Sequence, residues 1–413
     1  LKEDGILLIA IENRLGLKYF AGAPEDHTNA YMDGLKGYPG NESVRTFSKS
    51  EWVELMHTCG LKHYKFYYPY PDYKFPCEVF TDETLVSQKY GRKNWNFTEN
   101  RFELFPEQEM AETFRKEGVM DRFANSFLIE MSKRPIQRET EVLYAKMNRD
   151  RADAFAIATK IERAGGRMRV TKSALTEQAK AHLERMHGNE ERKKSSLKLL
   201  EGAYQPGNLT YPYLTGNSLG YEANMIQNRQ PGHVKKLVRE VYDFCVTDRT
   251  ELSEKETEAF AAVFGSRKGA GDYTYVCPAN IDLILDNIFR DGGSVSVIDG
   301  EWTFDFPVPA EFIIWRTINE IYTNAAWFEE QLPRKEFLKE YGIEEEDAEL
   351  FHAWAEHFEK EYVKANRLAD YAVPEVGVNL EEIRRRRIQE VWMDSTLYVD
   401  TGNGFSEEET VKV

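Results

Sequence analysis

The stretch "ANIDLILDNIFRDGGSVSVIDGEW", Ala279 to Trp302, sets Asp282, Asn287 and Asp299 among apolar residues of short-strand character. Phosphoryl transfer from ATP needs a carboxylate to orient the attacking hydroxyl, and an Asn and an Asp to hold magnesium. It also needs a strand lysine to bind phosphates, itself held by a helix glutamate. Asp282 and Asn287 show the D-x-x-x-x-N spacing of a phosphoryl-transfer catalytic loop. "SVSVID" then reads as a strand that delivers Asp299 to the same cleft. Taken alone the spacing is common and a strand ending in Asp is ordinary, so the upstream elements decide whether it means anything.

Those elements come in the right order. "AFAIATKIER", "AGG" and "RMRVTKSAL" read as two alternating strands joined by a Gly-Gly turn, with Lys172 toward the end of the second. "TEQAKAHLERMHGNEERKKSSLKLL" is rich in helix formers, with Thr176 as an N-cap and Glu184 a few turns in. "NLTYPYLTGNSLGYEANMI" gives a short strand and a hinge-like turn into a helix, and "HVKKLVREVYDFCV" repeats Val234, Leu237, Val238 and Val241 at helical spacing. Beyond the cleft, a helix is expected from about Ala310. Another carries Leu350, Phe351, Trp354 and Phe358 on one side, aromatics read as core rather than as a sugar-stacking platform.

The region from Leu1 to Arg134 has a different grammar. "GILLIAIEN" is an unbroken apolar run of strand length, the pattern of a central parallel strand buried on both faces. "SKSEWVELMHTCGL" places Ser48 and Glu51 in capping-box spacing, Trp52, Leu55, Met56 and Cys59 on one face, and Gly60 as the stop. "KHYKFYYPYPDY" and "ANSFLIEMSK" are further strands on either side of a charged insertion.

Composition narrows the classes. A chain of 413 residues, 41% hydrophobic and 13% aromatic, is long enough for two or three cores. A formal net charge of -16 works against nucleic acid and anionic lipid as partners. Cys59, Cys77, Cys245 and Cys277 are far apart with no CxxC pair, which fits a reducing compartment, and the expectation is a cytoplasmic protein. "GILLIAI" is too short for a membrane span. "RRRR", Arg384 to Arg387, sits between acidic residues and reads as a solvated helical linker. The two ends read as those of an internal piece of a longer polypeptide.

"LKEDGILLIAIENRLGLKYFAGAPEDHT" and "VRTFSKSEWVELMHTCGLKHYKFYYPYPDY" resemble the second half of the class I S-adenosylmethionine methyltransferase domain of large bacterial surface-polysaccharide proteins. The resemblance covers the first third of the chain, and "LKEDG" keeps only the last Gly of the family's "LKxGG" turn. It implies a partial Rossmann-like sheet at 1–134 whose cofactor-holding half is absent, so no S-adenosylmethionine binding by this piece alone. It makes Asn13 and Asp26 candidates for facing an acceptor sugar. His27 would be a general base whose ring Asp26 orients; the alternative is a solvated loop.

Residues 135–371 are similar to the kinase-like domains that follow such methyltransferase domains. The resemblance implies an α+β bilobal fold, Asp282 as catalytic carboxylate, Asn287 and Asp299 as magnesium ligands, Lys172 on the ATP phosphates and Glu184 as its partner. Departures are Asn280 for the His of "HRD", "DGEW" for "DFG", a short Lys-to-Glu separation and no glycine-rich loop before Lys172. Residues 372–394 are expected as a helical linker and 395–413 as the start of a β-sandwich. The expected whole is a bacterial methyltransferase acting on a surface-polysaccharide sugar, with a kinase-like domain that phosphorylates or positions the glycan. Its partners would be that glycan and the remaining domains of the polypeptide, and the rival is a non-catalytic kinase-like scaffold.

Overall fold

The computed structural model describes residues 1–40, 44–85, 101–148, 150–191, 198–225, 229–251, 253–267, 271–291, 294–324, 327–364 and 376–377. The expected linker at 372–394, including Arg384 to Arg387, lies outside them except for a two-residue strand at Val376–Gly377, and the expected sandwich start lies outside them altogether.

In the first region β1 (Ile6–Glu12), β2 (His63–Tyr70), β3 (Glu78–Thr81) and β4 (Ser126–Ser132) form one side of a sheet. β4 runs antiparallel between β1 and β2, pairing Ile6 and His63 alike with Ser132. β1 and β2 therefore point the same way with a later strand threaded between them. β1 departs from its expected place at the centre of a parallel sheet. It is the outermost strand, and Ile6, Leu7 and Leu8 are 48%, 38% and 59% exposed. An apolar run has the same signature whether the chain covers one side of the strand or both.

Helix α1 (Lys49–Thr58) starts as its sequence dictates, with Ser48 and Glu51 closing a reciprocal capping box. It ends on Gly60, whose φ of +71° permits the Leu61 N–H to reach back to the Met56 carbonyl at 2.9 Å. Met56 is its buried anchor, whereas Leu55 and Cys59 are exposed. Phe66, Tyr68 and Phe127 form the aromatic core beneath it.

β5 (Thr140–Met147) pairs with β3 and carries the sheet onward through β6 (Ile157–Ala164), β7 (Arg167–Ala174), β8 (Ala203–Gln205) and β9 (Asn208–Pro212). The order is β1-β4-β2-β3-β5-β6-β7-β9-β8, so the expected boundary near Arg134 falls inside a single nine-stranded sheet. β6 and β7 form the expected hairpin, turned by Gly165 and Gly166 at φ +54° and +76°. Helix α2 (Ala179–Glu191) lies across this end of the sheet, and Thr176 Oγ1 accepts from the Ala179 N–H, as its capping role predicts.

The remaining described chain is a helical lobe. α3 (Leu219–Asn224), α4 (Pro231–Cys245), α5 (Glu254–Phe264), α6 (Ala310–Asn324) and α7 (Glu345–His357) enclose Phe260, Phe264, Phe312, Phe351 and Trp354, all essentially inaccessible. Phe351, Trp354 and Phe358 are core, as their helical spacing predicts.

Candidate active site

The hairpin of β10 (Ile288–Asp291) and β11 (Ser294–Val297) separates the D-x-x-x-x-N loop from Asp299. Each part of that loop is tied down. Arg316, on α6, donates from Nε to the Ile281 carbonyl at 3.0 Å and from Nη2 to Asp282 Oδ1 at 2.9 Å. Asn287 donates from Nδ2 to the Asp282 carbonyl at 3.0 Å, and its own carbonyl accepts from the Ile298 N–H. Asn280 holds the Asp282 N–H through Oδ1. Asp286 backs the loop against α3 so closely that a Cβ on Gly220 would lie 1.9 Å from its Oδ1. Any side chain there would force Asp286 to move.

Asp299 takes a left-handed backbone, φ 58° and ψ 57°, which few non-glycine residues adopt and which concentrates at functional sites. Its carboxylate meets Lys172 Nζ at 2.5 Å, linking the sheet to the helical lobe. The Lys172 side chain is buried, and burial alone would depress its pKa. Asp299 and Glu301 outweigh that and leave the ammonium above its ordinary value. The Asp282 pKa is raised too, which in a carboxyl group disfavours the charged form. Burial raises its carboxyl above the usual aspartate range and the negative Asp299 adds to the rise, against the pull of Arg316.

Glu184 does not hold Lys172. It is on the exposed face of α2, because the turn of the helix that faces the cleft presents His182. The second carboxylate at Lys172 is Glu301, 3.9 Å away and buried. Glu301 Oε1 is shared by Arg151 at 2.5 Å and His182 Nε2 at 2.9 Å. Arg185 Nη2 faces His182 Nδ1 at 2.8 Å, and a guanidinium can only donate. His182 Nε2 therefore carries the proton given to Glu301. Burial works against the Glu301 carboxylate, but Arg151, His182 and Lys172 more than offset it and its pKa falls far below the usual range. Burial disfavours the charged form of His182 too, which lowers its pKa. Arg151, His182, Glu301 and Arg316 escaped the sequence reading; the one available hint was an acidic residue, Glu301, directly before a buried Trp302.

The first region's candidates are not gathered into this cleft. Asn13 is fully buried and its amide is spent on backbone: Nδ2 donates to the Arg122 and Ala124 carbonyls at 2.8 Å, and Oδ1 accepts from the Leu15 N–H. It cannot also face a sugar. Asp26 binds Lys18 at 2.8 Å, Lys74 at 3.1 Å and the Tyr19 hydroxyl at 2.5 Å, so it does not orient His27. His27 is exposed, and its backbone N–H donates to Glu25. Among the described residues the solvated-loop alternative describes His27 better.

Asp299 and Asn287 are hard oxygen donors that suit magnesium. The Asp299 side chain is 37% exposed, and Asn287 has committed its nitrogen and kept Oδ1. Among the described residues no group of three or more His, Cys, Asp or Glu could hold a metal by itself. Magnesium commonly uses one or two protein ligands together with phosphate oxygens and water, and the Asp299 carboxylate here is paired with Lys172.

No family model matches the chain, and no curated protein matches it. Among solved structures the chain is similar to a macrolide 2'-phosphotransferase from Brachybacterium faecium, at 14% identity over 52% of this chain and 83% of that one, TM-score 0.25. It is also similar to an aminoglycoside-3'-phosphotransferase of type VIII, at 18% identity over 54% and 95%, TM-score 0.30. The choline kinase of Streptococcus pneumoniae stands at 12% identity over 57% and 90%, TM-score 0.29. Scores of this size decide nothing about activity. No helix among the described residues is long and apolar enough to cross a membrane.

Proposed function

We propose that residues 135–371 form a kinase-like phosphotransferase domain that moves the γ-phosphoryl group of ATP to a hydroxyl. The supporting observation is the Lys172–Asp299 pair across the two lobes at 2.5 Å, beside Asp282. Lys172 would bind phosphate oxygens and Asp299 would help hold the cation, in place of their present pairing. Asp282 accepts the hydrogen bond of the attacking hydroxyl and takes its proton, a task suited to a carboxylate whose pKa is raised. Magnesium held by Asp299 and Asn287 would supply charge neutralisation on the transferring group. Magnesium-dependent ATP binding, read by thermal shift, tests this reading; no shift in the unmodified protein refutes it.

A second reading has an observation of its own. The β5–β6 connection, where a loop over the phosphates would lie, contains no glycine between Asn148 and Ala156, and its Arg151 reaches into the cleft to Glu301. A kinase-like scaffold that docks a glycan or partner enzyme would look the same.

The broader proposal, that the parent protein methylates a surface-polysaccharide sugar, rests on the sequence resemblance of the first region. The residues present do not fit S-adenosylmethionine. At the end of β1, Glu12 is held by Lys74 at 2.6 Å and Asn13 is sealed against backbone, so among the described residues neither of these two is open to a cofactor ribose. Calorimetry with S-adenosylmethionine should show no tight binding to this chain; tight binding would overturn that expectation.

A further inference from the structure

Glu301 uses its two carboxylate oxygens differently. Oε1 takes both donors, Arg151 Nη1 at 2.5 Å and His182 Nε2 at 2.9 Å. Oε2 is left toward Lys172 Nζ at 3.9 Å, beyond hydrogen-bond distance. A shift of about 1 Å would bring that ammonium to the separation of a charge-assisted hydrogen bond. The turn that carries Glu301, Gly300–Trp302, is fixed from two directions. The D-x-x-x-x-N loop holds one side, with the Ile281 N–H on the Trp302 carbonyl at 3.1 Å and Asn280 paired with Thr303. Helix α2 holds the other side at two points. His182 donates to Glu301, and Asn189 Nδ2 donates to the Thr303 carbonyl at 3.0 Å. These two residues are seven positions apart (189 − 182), which puts them on one face of the helix, two turns from each other.

We propose that Glu301 is the positioning residue of Lys172, set in place by α2 through His182 and Asn189, and that the lysine passes from Asp299 to Glu301 when magnesium-ATP arrives. The inference rests on the phosphotransferase reading for the event that removes Asp299. A buried ammonium left without a counter-charge is strongly destabilising. Lys172 is only 6% exposed, so a second carboxylate has to stand beside it before the first can turn to a cation. Glu301 is 4% exposed; burial works against its charge, and Arg151, His182 and Lys172 override that and keep it ionised. Helix α2 therefore acts on the lysine without a carboxylate of its own. It supplies the grip, and the turn after Asp299 supplies the charge.

Titration calorimetry with magnesium-ATP tests this on variants whose folding is checked by thermal unfolding. Glu301→Gln should weaken binding about fivefold or more, and adding it to Lys172→Met should cost nothing further, because a positioning residue acts only through the lysine it positions. A second pair of variants reads the helix. His182→Gln keeps a donor for Glu301 and an acceptor for Arg185, and should bind within about twofold of the unmodified protein. His182→Leu has neither and should lose about threefold or more. Unchanged affinity in Glu301→Gln, losses that multiply in the double variant, or equal affinity in the two His182 variants overturns the proposal. If Glu301→Gln does not fold, the His182 pair decides. An unmodified protein that does not bind magnesium-ATP ends the phosphotransferase reading and this inference with it. One that binds it, while Glu301→Gln binds equally well, ends this inference alone.

Discussion

The molecule holds two lysine-centred networks, and they join different things. In the first region Lys18 is buried between Asp26 at 2.8 Å and Asp72 at 3.1 Å, with Tyr19, Lys74 and Glu12 closing the set. In the second, Lys172 meets Asp299 at 2.5 Å and Glu301 at 3.9 Å. Burial opposes both ammonium groups, and in both the carboxylates win. The difference lies in what each pair joins. Lys18 stitches neighbouring segments of one region. Lys172 joins a strand of the sheet to a loop of the helical lobe, and Asp299 keeps its side chain 37% exposed and its backbone left-handed. An ion pair becomes machinery when a ligand can replace one of its members.

The sharpest way to break this contrast is at Asp282. Asp282→Asn should lower phosphoryl transfer by about 10²–10⁴-fold while magnesium-ATP binding survives, measured by coupled assay and thermal shift. Equal loss of both would make the residue structural.

Lys18→Met should do the opposite. It leaves two carboxylates without their shared cation and should cost about 3–5 kcal/mol in denaturant unfolding, with unchanged ATP affinity in whatever remains folded. If stability holds, the first network is not a stitch.

Asp299→Asn removes one charge from a cation site at nearly constant shape. ATP affinity in magnesium should fall about tenfold, or about 1.4 kcal/mol, by titration calorimetry. Acid should act on the same cleft. The Glu301 pKa is depressed by folding, so its contribution is full above the ordinary glutamate value of about 4.3 and disappears as pH falls toward the depressed one. His182, also lowered, begins to cost stability below about 6.5, where the unfolded chain takes up a proton that the folded one refuses. Glu301→Gln should flatten the lower part of the stability–pH curve. The smallest effect belongs to Glu184→Ala, expected within about 0.5 kcal/mol and silent in ATP binding, because the side chain is exposed.

The contrast also explains what the sequence could tell. Ser48 with Glu51, Thr176 before its helix, and Gly165-Gly166 between alternating strands are local rules, and each appears where the residues put it. Lys172 and Asp299 were legible because order along the chain carried them. The helix partner was not. Glu184 satisfied the order but stands on the wrong face of α2, while Glu301 reaches Lys172 only through the fold, 129 positions later (301 − 172). Asn13 misled for a related reason: a polar residue at a strand end can serve a ligand or seal two carbonyls, and only the position of Arg122 and Ala124 decides between them.

The single sheet has a mechanical consequence. β7, which carries Lys172, lies six strands from β1, a span of about 29 Å at the usual strand spacing of about 4.8 Å. If the sheet moved as one body, separating Lys172 from Asp299 would carry every strand between β7 and β1 with it. Force would return along the same span. Whatever grips the outer edge of β1, where Ile6, Leu7 and Leu8 stand in solvent, would then also load or steady the lysine at the other end.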